Sequence, residues 1–225
     1  MTMVDVALFT SALRLATPLI LAALGGLFSE RSGVVNIALE GMMLFGAFSA
    51  ALITYFSGNP WVGVLGAMLT GGTVALLHAV ASLRYGANQV VSGTAINILA
   101  SGTPSFLASA FFGTTGSTPQ VKFPLPTWHL PILKDIPLVG EILGHHTPLV
   151  YLALLSAGVA HLVLFSTPFG LRLRAVGENP AAADSLGIPV NRMRYYGVIL
   201  SGLLSGLAGA FLSIGHGTGF TRNMS

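Results

Sequence analysis

Two polar residues in an otherwise apolar stretch are the first candidates for transport chemistry. Asn36 and Glu40 are four residues apart, so a helix running through both would present them on one face. An ionisable group at membrane depth is costly unless it is paired or faces water, which makes Glu40 a functional candidate. The alternative is that Glu40 pairs with an arginine, such as Arg31 or Arg84, and only stabilises helix packing.

A second polar group repeats every four residues further along the chain. Asn97, Ser101 and Ser105 follow this spacing, and Asn88 and Gln89 precede them. On a helix these three side chains form a polar stripe. Two functions fit such a stripe equally well, the lining of a polar pathway and hydrogen bonding to a neighbouring helix.

The sequence lacks the common motifs of enzymes and metal sites. It contains no Gly-rich phosphate loop ending in Lys-Ser or Lys-Thr, no His-Glu-x-x-His helix and no Gly-x-Ser-x-Gly elbow. It has no cysteine, and the adjacent His145 and His146 could form a weak metal site in a loop, for which two neighbouring imidazoles are poor evidence. His78 and His161 stand alone in apolar sequence and are predicted to be packed and hydrogen-bonded. We therefore predict no catalytic residue and no metal ligand.

A third polar segment, residues 177–189, predicts a short helix with both ends marked. Asn179 is a strong N-cap, Pro180 suits the first helical position, and Gly187 suits the left-handed residue that follows a helix. A helix this short is marginal in water. The segment therefore needs a docking partner, which is either its own membrane domain or another protein.

The amino-acid composition indicates that the helices carrying these residues lie in a lipid membrane. The 225 residues are 53% hydrophobic and 8% charged, whereas soluble domains are roughly 25% charged. So few charges cannot cover a water-facing surface, which excludes a soluble enzyme, a nucleic-acid binder and a disordered protein. The net charge of +3 is better explained by membrane topology than by binding to nucleic acid.

Hydropathy predicts an all-α, polytopic membrane bundle that forms one domain over residues 1–225. Six windows are long and apolar enough to span a bilayer. They are residues 6–27, 34–56, 61–83, 90–112, 149–166 and 195–214. Small residues every four positions, as in Gly63, Ala67 and Gly71 or in Gly202 and Gly206, predict close helix packing.

Basic residues predict the orientation of the bundle. Four arginines lie in the loop 170–194, between the fifth and sixth windows, so this loop should be cytoplasmic. Alternation of the windows then places Arg31 and Arg84 inside and the N-terminus outside. The proline-rich loop 113–147 becomes an extracytoplasmic loop.

Three stretches resemble the permease subunits of bacterial ATP-binding-cassette (ABC) importers. Residues 25–43, 88–102 and 174–190 are similar to the branched-chain amino acid, ribose and nucleoside permease family, and the resemblance covers essentially the whole chain. Residues 29–42 are closest to the nucleoside or simple-sugar branch. Relatives continue for several tens of residues with further membrane helices, so we expect this chain to be truncated at its C-terminus relative to the family.

The resemblance assigns a role to the loop 177–189, which matches the coupling helix that docks on the ATPase subunit. The older importer pattern of Glu-Ala-Ala, three residues and Gly is met only in part, because the acid is missing from its usual place and Glu178 lies three residues earlier. The residues implied in ATPase coupling are Glu178, Asn179, Pro180, Ala181, Ala182, Ala183 and Gly187.

The resemblance implies a non-enzymatic, multi-pass permease subunit of the bacterial inner membrane that imports nucleosides or related sugars. ATP and Mg would bind the partner ATPase, and this chain would bind no cofactor. The other implied partners are a second, different permease subunit and an extracytoplasmic binding protein, but no nucleic acid. The predicted path residues are Asn36, Glu40, Asn97 and Ser101. The alternatives are an ion-gradient-driven transporter that uses Glu40 and a non-transporting membrane scaffold.

Overall fold

The computed structural model describes residues 3–114, 116–129, 144–215, 219–221 and 224. The helices in these residues are α1 (Met3–Arg31), α2 (Leu39–Ser57), α3 (Pro60–Ala79), α4 (Gln89–Phe112), α5 (Pro148–Ser166), α6 (Pro168–Glu178), α7 (Pro180–Ser185) and α8 (Val190–Ala210). Helices α3 and α8 continue as single π-helical turns, Val80–Arg84 and Phe211–Gly215. Two short antiparallel strands, β1 (Trp128–His129) and β2 (His145–His146), pair with each other.

The prediction of six membrane-spanning windows is confirmed. Six of the described helices are long and apolar enough to cross a bilayer. They are Val6–Arg31, Leu39–Ser57, Pro60–Arg84, Gln89–Phe112, Pro148–Ser166 and Val190–Gly215. The second span begins five residues later than predicted, at Leu39 rather than Val34.

Local chemistry explains most helix ends. The Asn59 side chain accepts a hydrogen bond from the Trp61 amide at the start of α3, and Asn88 caps α4 in the same way. The first helix ends where Gly33 takes a left-handed conformation with φ of 81°. A left-handed residue ends an α-helix, and glycine adopts this conformation without a steric cost, so α1 does not continue into the predicted second window.

Helix α8 forms the centre of the bundle and packs against α1, α2 and α3. Backbones meet directly along these contacts, because a Cβ added at Gly46 would lie 2.7 Å from the Gly206 carbonyl oxygen, and one added at Gly71 would overlap the carbonyl oxygen of Gly202. The predicted small-residue stripes are therefore confirmed as packing surfaces. Helices α1, α4 and α5 lie at the periphery and are mostly exposed.

The helices alternate in direction, which gives the bundle two chemically different ends. At one end, α1 and α3 finish, α2, α4 and α8 begin, and α6 and α7 connect α5 to α8. We call this the arginine end, for Arg31, Arg84, Arg172, Arg174, Arg192 and Arg194. The opposite end carries β1, β2 and the described parts of the predicted extracytoplasmic loop, whose residues 130–143 lie outside the described residues.

Candidate functional site at the break between the first two spans

The chain between α1 and α2 is not helical, and we call residues 32–38 the break. Backbone groups without helical partners are tolerated inside a membrane protein only where other groups satisfy them. Side chains from three different helices do so at the break. The break is therefore a point where residues distant in sequence are joined by hydrogen bonds at the arginine end.

Two side chains on α3 and α4 hold the backbone of Val35. Its amide donates a hydrogen bond to Oε1 of Gln89 over 2.8 Å. Its carbonyl oxygen lies 3.3 Å from Nε2 of His78, and Nδ1 of His78 lies 3.0 Å from the Ser92 hydroxyl. If Nε2 carries the proton, His78 donates to the break and accepts from Ser92. The prediction that His78 is packed and hydrogen-bonded is confirmed. The same prediction of a packed His161 is wrong, because this side chain is exposed on α5 with its ring centroid 5.0 Å from that of Phe165.

Asn97 on α4 connects the break to the first turn of α2. Its Nδ2 donates to the Ile37 carbonyl oxygen over 3.0 Å, and its Oδ1 accepts from the Gly41 amide over 2.9 Å. A Cβ added at Gly41 would lie only 2.8 Å from that same oxygen. Glycine at position 41 thus allows α4 to approach α2 closely enough for this double hydrogen bond.

Asn36 lies inside the bundle and not on the face of a helix. Its Oδ1 accepts from the Ala38 amide over 3.0 Å, and its Nδ2 donates to the Ser201 hydroxyl on α8 over 2.9 Å. Only 5% of the residue is exposed. Because α2 begins at Leu39, the expectation that Asn36 shares a helix face with Glu40 is wrong. Glu40 is exposed in the first turn of α2, where the helix dipole stabilises a negative charge.

The predicted polar stripe on α4 is partly accessible. Ser101 is exposed and Asn97 is half-buried, as is Ser105. The Ser101 hydroxyl donates to the Ile98 carbonyl oxygen over 2.8 Å, so the helix itself satisfies its donor. Thr94 is also exposed one turn away. The structure therefore places Asn97 beside the break and Ser101 one turn further along α4, on an accessible face in the single chain.

The sequence interpretation missed three residues that hold the break, namely Gln89, Ser92 and Ser201. Gln89 precedes the predicted polar stripe of α4, and Ser201 lies among the small residues of α8. Their partners are far away in sequence, 54 residues for the pair of Val35 and Gln89 and 165 for the pair of Asn36 and Ser201. The available signal was their polarity within apolar windows.

The short helix predicted in residues 177–189 is present as α7, with the predicted ends. Asn179 accepts a hydrogen bond from the Ala182 amide at its Oδ1 over 3.0 Å, and Pro180 is the first helical residue. Gly187 is left-handed with φ of 76°, and its amide donates to the Asp184 carbonyl oxygen over 2.8 Å. Glu178 is the last residue of α6. The predicted capping is therefore confirmed.

Helix α7 packs on its own chain with one side only. Ala183 is buried in a cluster with Leu173, Val176 and Met193. Ala181 and Ala182 are exposed, and Leu186 is 80% exposed. One face is therefore fixed to the bundle, and the other presents small and apolar side chains at the arginine end.

Replacing the cap residue tests this local structure. Asn179→Ala is expected to destabilise α7 by about 1 kcal/mol, because the Ala182 amide loses its partner. Hydrogen exchange of the peptide that contains Ala182 should speed up in this variant. Asn179→Ser is the control, since serine caps helices about as well as asparagine. Equal exchange in Asn179→Ala and the native chain would contradict the assigned cap.

Comparison with known proteins places these features in context. The family described as branched-chain amino acid transport system / permease component matches residues 8–225. A guanosine ABC transporter permease protein of Bacillus subtilis, NupQ, is 45% identical over 92% of this chain and 67% of its own length. A nucleoside ABC transporter permease protein of Lactococcus lactis, NupC, is 44% identical over 87% and 63%. A putative glucose ABC transporter permease protein of Haloferax volcanii, TsgC13, is 40% identical over 92% and 62%.

These relatives are longer than the chain, which spans about two thirds of their length. No solved structure matches the chain significantly.

Proposed function

Because the chain belongs to the permease component family of branched-chain amino acid transport systems, we propose that it is a permease subunit of an ATP-driven importer for nucleosides or related simple sugars. The chain is a multi-pass protein of the bacterial plasma membrane. Permease components of this family are not catalytic, and a separate subunit is the ATPase. ATP and Mg would therefore bind that partner and not this chain.

The observation that carries the proposal is the half-exposed helix α7. Its capped ends hold a helix that is too short to be stable alone, while its outer side offers Ala181, Ala182 and Leu186 to a partner. Small side chains let a partner surface approach the helix backbone closely. We assign ATPase docking to this element, with the residues Glu178, Asn179, Pro180, Ala181, Ala182, Ala183 and Gly187.

The open face of α4 supports a solute pathway. The exposed hydroxyls of Thr94 and Ser101 donate to carbonyl oxygens of α4 itself, and their oxygen lone pairs can still accept a hydrogen bond from a solute. The proposed pathway runs along Asn97 and Ser101, with Glu40 at its arginine end, and a second, different permease subunit forms its other wall. Asn36, buried against α8, supports this wall instead of contacting the solute.

Orientation follows from the distribution of arginines. The arginine end, with α7, faces the cytoplasm in this proposal, in accord with the positive-inside rule. The opposite end then receives solute from an extracytoplasmic binding protein. ATP binding by the partner moves α7 and switches access from the outside to the inside.

Co-purification with the ATPase of the same operon tests the proposal. Ala182→Trp on the exposed side of α7 is expected to lower ATPase capture by about tenfold or more, as truncating or blocking an interface hot spot does. Val159→Trp, at an exposed position of α5, is the matched control and should leave capture intact. Replacing residues 177–189 by a Gly-Ser sequence should remove capture completely.

Uptake of labelled guanosine then separates the remaining alternatives. ATP-dependent uptake that requires the ATPase supports the importer. Uptake that follows a proton or sodium gradient without any ATPase, by a well-folded chain that captures none, would establish the ion-driven transporter. Transport that survives single changes at Glu40, Asn97 and Ser101 would favour the scaffold.

A further inference from the structure

Two glycines bring the break and the α7 region into direct backbone contact. A Cβ added at Gly33 would lie 3.2 Å from the Gly177 Cα atom. One added at Gly177 would overlap the Arg31 carbonyl oxygen and lie 3.2 Å from the Gly33 amide nitrogen. We call this contact of Gly33 and Gly177 the glycine joint. With no side chain between them, neither backbone can shift far without pushing the other.

On one side of the joint, Gly177 is continuous with the docking element. It is the penultimate residue of α6, and the Asn179 amide donates to the Ala175 carbonyl oxygen over 3.0 Å. Val176 of α6 and Ala183 of α7 belong to the same buried cluster. Helices α6 and α7 therefore share packing and should move together.

On the other side of the joint, Gly33 is the second residue of the break. The following residues are held by Gln89, Asn97 and His78, whose hydrogen bonds reach Val35 and Ile37. Two of these three bonds come from α4, from its first residue Gln89 and from Asn97. A displacement of Gly33 along the backbone therefore reaches residues that are hydrogen-bonded to Gln89 and Asn97 on α4.

Resting on the proposed function, we infer that the glycine joint is the positioning contact through which movement of α7 by the ATPase reaches Asn97. Gly33 and Gly177 act through the backbone and touch neither the solute nor ATP. Their role is to keep the docking element and the break in register during the transport cycle.

Opening the joint is the first test. Gly177→Ala favours the helical state of α6 by itself but forces the Arg31 carbonyl away. ATPase capture is expected to stay within about twofold of the native chain, whereas ATP-dependent guanosine uptake falls by about tenfold, a usual size for coupling between sites. Gly158→Ala is the matched control, because a Cβ there meets no atom within 4 Å.

Cross-linking is the second test and does not depend on transport activity. Arg31 and Glu178 are exposed and line one cavity of about 300 Å³ at the joint. The native chain has no cysteine, so the double variant Arg31→Cys and Glu178→Cys has a unique thiol pair. Because Glu178 also belongs to the proposed docking residues, the single variant Glu178→Cys is the control for ATPase capture, and a fusion of the ATPase to the chain keeps the two proteins together if this variant captures less. A short bridging reagent should link this pair to the same extent with and without ATP on the captured ATPase, because the joint stays closed.

The outcomes separate the joint from the proposed function. Native levels of ATP-dependent guanosine uptake in Gly177→Ala would contradict the role of the glycine joint. A cross-linking yield that falls sharply in one nucleotide state would contradict it as well. Both results would leave the proposed importer function intact. If Gly177→Ala does not fold, the cross-linking yield decides alone. Failure of the native chain to capture any ATPase would instead remove the proposed function, and the joint with it.

Discussion

Gly206→Leu is expected to abolish folding of the bundle, whereas Gly158→Leu is expected to leave it folded. A Cβ added at Gly206 would overlap the Ala67 carbonyl oxygen and lie 3.2 Å from the Met68 Cα atom, and Gly46 packs on the Gly206 carbonyl from the other side. Backbone atoms of α2 and α3 thus enclose Gly206 on α8. They cannot rotate away as a flexible side chain can, so the helices must separate.

The alanine pair measures the same effect on a finer scale. Gly206→Ala is expected to lower the free energy of unfolding by about 1–3 kcal/mol, the usual cost of overpacking. Gly158→Ala should raise it by up to about 1 kcal/mol, because alanine is the better helix former at an open position. The two changes insert the same methyl group and differ in sign.

Unfolding in detergent followed by circular dichroism, together with size-exclusion chromatography, checks both pairs. Equal unfolding midpoints for Gly206→Ala and Gly158→Ala would show that the contacts of α8 with α2 and α3 are looser than described. A Gly206→Leu protein that elutes as a single folded species from the size-exclusion column would also show that these contacts are looser than described. In either case the small-residue stripe would no longer explain how the bundle packs.

Features with a local cause could be predicted from the sequence. The Asn179 cap, Pro180 at the first helical position and the left-handed Gly187 lie within nine residues of one another, so neighbouring residues alone specify α7. The Gly and Ala spacing on α3 and α8 likewise predicted close packing, because a four-residue period fixes which side chains share a helix face. Neither prediction needed knowledge of the tertiary structure.

The break could not be predicted in the same way. Residues 34–38 are mostly apolar and continue smoothly into α2, so hydropathy places them in the second span. Their non-helical course depends on hydrogen bonds from Gln89, His78 and Asn97, which are 43 to 60 residues away in sequence. Such tertiary hydrogen bonds leave no periodic pattern in the sequence. The four-residue spacing of Asn36 and Glu40 predicts a shared helix face for the same reason, because it carries no information on these bonds.

The candidate site was therefore predicted in its composition but not in its arrangement. Asn97 and Ser101 do share an accessible face of α4, as their spacing required. The spacing of Asn36 and Glu40 predicts a shared helix face, yet the side-chain amide of Asn36 donates a hydrogen bond to the Ser201 hydroxyl in the interior. Asn36 and Asn97 each make two side-chain hydrogen bonds to nitrogen or oxygen partners. They differ in exposure, because Asn36 is buried and Asn97 is half-buried beside the accessible face of α4.

Asn97→Leu is accordingly expected to change transport in a way that Asn36→Leu does not. Each substitution removes a donor and an acceptor, so each should lower the free energy of unfolding by about 1–3 kcal/mol. Asn97 also borders the open face of α4, so its loss should raise the KM for guanosine uptake by about tenfold, the effect of losing one hydrogen bond of about 1.4 kcal/mol to the solute. Asn36→Leu should lower the amount of folded protein and leave KM unchanged.

Uptake kinetics in proteoliposomes, with the ATPase and the binding protein present and the folded permease quantified, distinguish these two effects. Asn97→Gln is a useful third variant. Its amide is one methylene further from the backbone, so it cannot keep both hydrogen bonds to Ile37 and Gly41 in their native geometry, and it should give an intermediate KM. Equal increases of KM in Asn97→Leu and Asn36→Leu would mean that both act through the shape of the break. The solute would then not contact Asn97, and the pathway would have to run along a different face of the bundle.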